Sequence, residues 1–136
     1  MPNAYRNVML IYRGYAFYKM KKYNDAKRCF NLLTPPNSKS SYFSTKYIYI
    51  GYCHYYSKEY SQAYTDFNKV YTTSDTSSAT KANALYYMAS VKRNQGKKAE
   101  AIKLYQKVIA NPKSASWQKN SAKKTIAALK KQVKKK

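Results

Sequence analysis

Apolar residues recur at steps of three and four along most of the chain, which is the spacing of one face of an α-helix. Val8, Ile11 and Tyr15 show this spacing in the first segment, and Pro-containing or Ser/Thr-rich segments interrupt it later. Because proline cannot continue a helical hydrogen-bond ladder, we expect residues 34–37 and 111–112 to end helices. The pattern predicts seven helices in succession, which is an all-α fold class.

A frame of four positions recurs within this helical pattern. A small residue is followed by alanine after twelve positions, by an aromatic residue after four more, and by an aliphatic residue after another three. Successive copies begin 37 and then 38 residues apart, and a fixed period of this size indicates stacked supersecondary units. The copies are Gly14, Ala26, Phe30 and Leu33; Gly51, Ala63, Phe67 and Val70; and Ala89, Ala101, Tyr105 and Val108.

Each copy of the frame is predicted to form a hairpin of two helices, and a seventh helix caps the array. Asn24, Ser61 and a residue within Ser38 to Ser41 are the predicted N-caps, and Gly96 is a predicted helix C-terminal glycine. Residues 72–78, all Thr, Ser and Asp, are a predicted loop. The chain is predicted to form a single domain over residues 1–136. Its three hairpins span about residues 5–37, 41–74 and 78–112, and the capping helix spans about residues 114–133.

An aromatic residue stands three positions before the alanine in the first two copies, as Tyr23 and Tyr60. With this residue the frame resembles the tetratricopeptide repeat family over roughly residues 5 to 112, while the third copy lacks both this aromatic residue and the glycine. The resemblance implies a right-handed superhelix whose concave face binds a peptide or a helix of a partner. It also implies an interaction scaffold or adaptor rather than an enzyme, with no cofactor.

The period of the frame exceeds the family's usual length of about 34 residues. The extra residues fall at 34–41 and 72–78, and links of this kind look like those of the bacterial cell-envelope branch of the family. That branch includes the outer-membrane assembly lipoproteins and the periplasmic coordinator of the Tol–Pal system. A fragment of an envelope assembly protein is therefore one alternative function, and the compartment stays open between the envelope and the cytoplasm.

The resemblance also implies which side chains line the concave face, namely first-helix residues that point away from the second helix. These positions carry tyrosine in the first two units and become polar and basic in the third. Tyrosine offers a wide contact area at a small entropic cost and a hydroxyl group that can bond. The alternative is that many of these tyrosines pack between helices. The predicted peptide-binding residues are Tyr12, Tyr15, Lys19, Tyr49, Tyr52, Tyr56, Tyr86, Tyr87 and Arg93.

The charge of the chain narrows the chemistry of a partner. The sequence holds 27 Lys and Arg residues against 5 Asp and Glu, a formal net charge of +22. The excess has three interpretations: a solvated surface, attraction to an acidic protein, or contact with nucleic-acid phosphates beside stacking aromatic rings. We predict an acidic protein or peptide as the partner, and a nucleic-acid-binding protein is the second alternative, because no nucleic-acid motif is recognised.

Residues that support catalysis or metal binding are few. The acids are scattered, His54 is the single histidine, and no glycine-rich phosphate loop occurs, so no catalytic site is predicted. Cys53 and His54 are adjacent, and neighbouring helical residues diverge by about 100°, so no metal site is predicted. Cys29 and Cys53 are predicted to be buried thiols, with a disulfide between them as the alternative.

The sequence also lacks the patterns of membrane insertion and export. No run of about 18 apolar residues occurs, so no transmembrane segment is predicted. The first residues show no basic segment followed by an apolar stretch, so no signal peptide is predicted. These patterns leave the oligomeric state open.

Overall fold

Seven α-helices follow one another in the computed structural model, which describes residues 3–73 and 78–134. Successive helices pack against each other, and these two ranges contain no strand. The predicted all-α fold of helix hairpins and a capping helix is confirmed. In the described ranges, no helix has the length and apolar character needed to span a membrane. The helices are α1 (Asn3–Lys19), α2 (Tyr23–Asn31), α3 (Ser41–Tyr56), α4 (Tyr60–Thr73), α5 (Ser78–Asn94), α6 (Lys98–Ala110) and α7 (Ser116–Lys134).

The predicted loop at residues 72–78 includes residues that are helical in the structure. α4 continues through Thr73 and α5 begins at Ser78. Thr72 and Thr73 have a weak helix propensity but are helical, because tertiary contacts can override propensity. Val70, in the last turns of α4, is fully buried and supplies such contacts. Residues 74–77, which include the predicted unit boundary at residue 74, lie outside the described residues.

The turn inside each hairpin has the same backbone in all three units. Lys21, Lys58 and Gly96 lie 37 and 38 residues apart and adopt left-handed φ angles of 63°, 62° and 77°. The next residue donates its N–H back across the turn, as Lys22 does to the Phe17 carbonyl at 2.9 Å. The backbone thus satisfies the end of the first helix, and the predicted C-terminal glycine at Gly96 is confirmed.

This tight turn makes two of the predicted N-caps wrong. α2 begins at Tyr23 and α4 at Tyr60, so Asn24 and Ser61 lie inside the first turn of their helices. Lys22, which precedes α2, makes no side-chain cap bond. The turn carries the chain directly into the second helix, and the second helix therefore starts earlier than a side-chain cap would place it.

The link before α3 contains prolines and no hairpin turn, and here a side chain does cap the helix. The Oγ atom of Ser40 accepts a hydrogen bond from the Tyr42 backbone N–H at 3.1 Å. The prediction of a cap within Ser38 to Ser41 is confirmed, because a helix start without backbone partners needs a side-chain acceptor.

The glycines of the frame allow aromatic rings to lie directly against a helix backbone. A Cβ atom at Gly14 would stand 2.7 Å from the ring of Phe30, and one at Gly51 would stand 2.7 Å from the ring of Phe67. Both rings are fully buried. The glycine and the aromatic residue of the frame are therefore one contact, made between the two helices of a hairpin.

The seventh helix repeats the pattern of a first helix and does more than close the array. Its buried face packs on α6 in the way that the buried face of α5 packs on α4. α7 is therefore equivalent to α1, α3 and α5, and it occupies the position of the first helix of a fourth unit. The matching residues are Ala84, Met88 and Val91 in α5 and, 38 residues later, Ala122, Ile126 and Leu129 in α7.

Candidate peptide-binding groove

A groove of about 730 Å³ lies between the amino-terminal parts of α3, α5 and α7. Ser41, Ala79 and Trp117 line it from equivalent positions that are 38 residues apart. Tyr49 and Tyr52 contribute their rings from α3, and the indole of Trp117 is 55% exposed. The repeated first helices thus line one open groove, which includes the aromatic side chains of Tyr49, Tyr52 and Trp117.

The groove is basic at its edges. Lys39 and Lys113 lie in the links before α3 and α7 and line the groove, and none of its described lining residues is acidic. The acids that the structure describes lie elsewhere, on or beside second helices, where each faces a basic or imidazole partner. These pairs are Asp25 with Arg28, Glu59 with Lys27, Asp66 with His54, and Glu100 with Lys92.

A chain of polar side chains joins the three first helices at the groove wall. Asn83 on α5 donates a hydrogen bond from Nδ2 to the hydroxyl of Tyr52 on α3. Its Oδ1 accepts one from Nε2 of Gln118 on α7 at 3.1 Å. Gln118 is 5% exposed, and its Oε1 accepts from the Ala115 backbone N–H at 2.9 Å. Each amide therefore has its partners within the wall, and the bridge holds the ring of Tyr52 in place.

Replacing Asn83 by alanine is expected to lower the free energy of unfolding by about 1–2 kcal/mol, because the amide of Gln118 and the hydroxyl of Tyr52 lose their partner. Thermal unfolding of the purified variant measures this. Thr45 lines the same groove one unit earlier at the equivalent position, and Thr45→Ala is the matched control. An Asn83→Ala variant as stable as the control would contradict the bridge.

Three of the predicted site tyrosines pack between hairpins. Phe30 stacks on Tyr49 with ring centroids 5.0 Å apart, and Phe67 stacks on Tyr87 at 5.5 Å. Tyr52 lies 4.8 Å from Tyr87 and 5.5 Å from Tyr49. All three side chains are half-buried, so much of their surface contacts other helices, as the alternative of packing between helices predicts. Tyr49 and Tyr52 also face the groove, and their role in peptide binding stays a prediction.

Burial changes the ionisation of this aromatic cluster. It raises the pKa of Tyr52 to about 12, although the hydrogen bond from Asn83 acts in the opposite direction. Burial also raises the pKa of Tyr18 and Tyr87, and neighbouring tyrosines contribute to both increases. The hydroxyl groups of Tyr18, Tyr52 and Tyr87 therefore stay protonated to a higher pH than the hydroxyl of a solvent-exposed tyrosine.

The predicted residues of the first unit, and Tyr56 of the second unit, lie outside the groove. Tyr12 is 72% exposed on α1, and Tyr15 is 42% exposed with its ring edge against Tyr49. The ammonium group of Lys19 lies 5.6 Å from the ring of Tyr15. Tyr56, at the end of α3, is 46% exposed. These side chains are accessible, but they are not among the residues that line the groove.

The predicted residues of the third unit divide between packing and a second cavity. The hydroxyl oxygen of Tyr86 lies 2.7 Å from the Oγ of Ser121, and its ring meets Trp117 at 5.2 Å. Arg93 lines a cavity of about 480 Å³ that also includes Lys98 and Lys124. The structure thus does not bring the nine predicted residues into one site.

Asn83, Trp117 and Gln118 belong to the groove although the sequence interpretation did not include them. The sequence pattern predicts α7 only as a capping helix, which leaves its first turn outside the predicted lining of the groove. A signal was present, because continuing the 38-residue period past α5 places Trp117 at the position of Ala79. Gln118 also stands three residues after Ala115, the spacing at which a glutamine bonds back to the residue before a helix.

Cys29, Cys53 and His54 are not among the residues that line the groove. Cys29 and Cys53 are free thiols in the structure, and burial raises the pKa of Cys53 to about 12. Nδ1 of His54 lies 2.6 Å from Oδ2 of Asp66, which is 7% exposed. Burial raises the pKa of Asp66, against the opposing effect of His54. Within residues 3–73 and 78–134, no cluster of three or more His, Cys, Asp and Glu could hold a metal ion.

Comparison with known proteins identifies one segment. Residues 83–114 match the family model of the tetratricopeptide repeat, a range that runs from within α5 through α6. No curated protein and no solved structure matches the chain. The match falls on the copy that departs most from the glycine and aromatic frame. It supports the tetratricopeptide resemblance and, in general, a protein–protein interaction scaffold. The narrower resemblance to the envelope branch stays a prediction.

Proposed function

We propose that this chain is a protein–protein interaction scaffold that binds an acidic segment of a partner in the groove between α3, α5 and α7. The observation that carries the proposal is the lining of the groove, which includes the rings of Tyr52 and Trp117 together with Lys39 and Lys113. Aromatic rings provide apolar contact area, and ammonium groups pair with carboxylates. An extended or helical segment that alternates apolar and acidic residues complements this surface.

The wall of the groove favours binding over chemistry. Its described lining residues include no histidine, cysteine or carboxylate that could act as a nucleophile or a general base. The bridge through Asn83 fixes the Tyr52 ring before a partner arrives. A pre-organised surface loses less conformational entropy on binding, which is the property that an adaptor needs.

Trp117 allows a direct test, because it is the single tryptophan and lies in the groove. The probe is a pool of acidic dodecapeptides that alternate Asp or Glu with Leu or Tyr, compared with a pool that carries Asn and Gln instead. We expect the acidic pool to shift the Trp117 emission. We also expect Lys39→Glu/Lys113→Glu to weaken acidic-pool binding at least about tenfold, because rim attraction becomes repulsion. The matched control is Lys130→Glu/Lys131→Glu, which makes the same charge change at exposed positions near the end of α7.

Two results would contradict the proposal. If Lys39→Glu/Lys113→Glu and Lys130→Glu/Lys131→Glu weakened peptide binding equally, the net charge of the protein, and not the groove, would attract the peptide. Tight binding of a single-stranded oligonucleotide, with a steep loss of affinity as salt rises and no acidic-peptide binding, would favour the nucleic-acid alternative.

The predicted residues outside the groove can be tested in the same peptide-binding assay. Alanine variants at these positions show whether their side chains contribute to binding; the positions are Tyr12, Tyr15, Lys19, Tyr56 and Arg93.

A further inference from the structure

In α3, α5 and α7, one face of the helix is covered by the second helix of the preceding unit. In α3, Ile50 and Cys53 pack in one core cluster with Ala26 and Phe30 of α2. In α5 and α7 the equivalent residues pack on α4 and α6 in the same way. The covering helix presents the alanine, aromatic and aliphatic positions of the frame. This contact is therefore the repeating interface of the array.

Within residues 3–73 and 78–134, no helix covers the equivalent face of α1. Arg13 and Ala16 stand 37 residues before Ile50 and Cys53, and both are exposed. Tyr12 stands 37 residues before Tyr49, which stacks on Phe30, and it is 72% exposed. Tyr12 thus occupies a position at which later units meet an aromatic ring of the preceding helix.

Exposed apolar residues continue this face over the length of α1 and just beyond it. We call it the α1 outer face, and a helix about 22 Å long would match its extent at the usual rise per residue. Contiguous apolar surface of this kind marks an interaction site more often than scattered single residues do. The α1 outer face consists of Tyr5, Met9, Tyr12, Ala16 and Met20.

The charges around the α1 outer face indicate what covers it. Arg6, Arg13 and Lys19 lie on the same helix, and α1 contains no acidic residue. The nearest acid along the chain, Asp25, pairs with Arg28. A second copy of this chain would bring another formal charge of +22 to the contact, and like charges of this size repel. An acidic partner meets attraction at the same place.

We propose that the α1 outer face docks an amphipathic helix of a protein partner that carries an Ala-x3-aromatic-x2-aliphatic stripe flanked by acidic residues. Such a helix would pack on α1 in the way that α2 packs on α3 and α4 packs on α5. Its aromatic residue meets Tyr12 as Phe30 meets Tyr49, and its carboxylates pair with Arg13 and Lys19. This surface is separate from the groove and does not depend on the groove binding a peptide.

The probe is a labelled peptide that keeps the frame of α4, with Ala63, Phe67 and Val70, and carries glutamate at the exposed α4 positions 61, 62, 65, 69 and 72. Fluorescence anisotropy with the full chain measures its binding. We expect Met9→Ala/Tyr12→Ala to weaken binding at least about tenfold, since exposed apolar anchors carry much of such contacts. Because both side chains are exposed, circular dichroism is expected to show an unchanged melting temperature.

Controls separate this surface from the groove and from charge alone. The groove variant Lys39→Glu/Lys113→Glu is expected to bind the α4-derived peptide within about threefold of the parent chain, allowing for its lower net charge. A peptide with the Phe67 position changed to serine is expected to bind at least about tenfold more weakly. Absence of binding, or binding unaffected by Met9→Ala/Tyr12→Ala, would overturn the proposal. So would sedimentation showing a dimer that this double variant abolishes, because the face would then serve a second copy.

Discussion

Replacing Gly51 by valine is expected to lower the free energy of unfolding by about 3 kcal/mol, because the new side chain overpacks a closed contact. A Cβ atom at Gly51 would stand 2.7 Å from the ring of Phe67. That ring is fully buried and lies between Tyr52 and Tyr87, so it cannot move aside without disturbing both neighbours. Urea unfolding followed by circular dichroism measures the loss.

Two comparisons identify the cause of this loss. Gly96 meets no atom within 4 Å but has a φ of 77°, so Gly96→Ala is expected to cost about 1 kcal/mol through backbone strain alone. Adding Phe67→Leu to Gly51→Val is expected to restore part of the stability lost by the valine, because a smaller side chain leaves room for it. A Gly51→Val variant within 0.5 kcal/mol of the parent, a margin of about the scatter for surface changes, would show that the contact is not tight.

Raising the pH above about 10 is expected to unfold the chain through its half-buried tyrosines. Burial raises the folded-state pKa of Tyr18, Tyr52 and Tyr87 above the ordinary value of 10.0. The unfolded chain then releases these phenolic protons at a lower pH than the folded chain. Their contribution to stability is complete below pH 10 and is lost as the pH rises through the folded pKa, which is about 12 for Tyr52. A difference of this size corresponds to about 3 kcal/mol for Tyr52 alone.

Tyr52→Phe provides the measurement, because phenylalanine keeps the ring and removes the titrating group. Its stability is expected to fall less steeply between pH 10 and 12 than that of the parent chain. Tyr12→Phe, at a site that is 72% exposed, is the matched control and is expected to follow the parent. Other titrating groups are common to all three proteins and cancel in the comparison. Parallel pH profiles for Tyr52→Phe and the parent would contradict the role of Tyr52 burial.

The hairpins were predictable because their signals are local or strictly periodic. The spacing from Gly14 to Phe30 reappears from Gly51 to Phe67, and in both hairpins it corresponds to a ring lying on a helix backbone. Ser40 was predictable as part of a capping segment for the same reason, since its partner is two residues away. The caps at Asn24 and Ser61 were wrong because the hairpin turn satisfies the helix ends through the backbone.

The groove was only partly predictable because it depends on residues that are distant in the sequence. Tyr49 and Tyr52 carried a tyrosine signal, but nothing local joins Tyr52 to Asn83 or to Gln118. Those bonds exist because three first helices stack side by side. The same stacking places the ring of Tyr87 against Phe67.

The sequence by itself determined the helices, the repeat and the contact inside each hairpin, because periodicity and small residues act over one or two turns of helix. The tertiary structure decided which tyrosines are buried, which charges remain near the groove, and which first-helix face has no cover. Those properties depend on what the neighbouring unit places opposite each side chain. Tyr12 and Tyr49 illustrate the difference, since they hold equivalent positions, yet Tyr49 stacks on Phe30 of α2 and Tyr12 is 72% exposed.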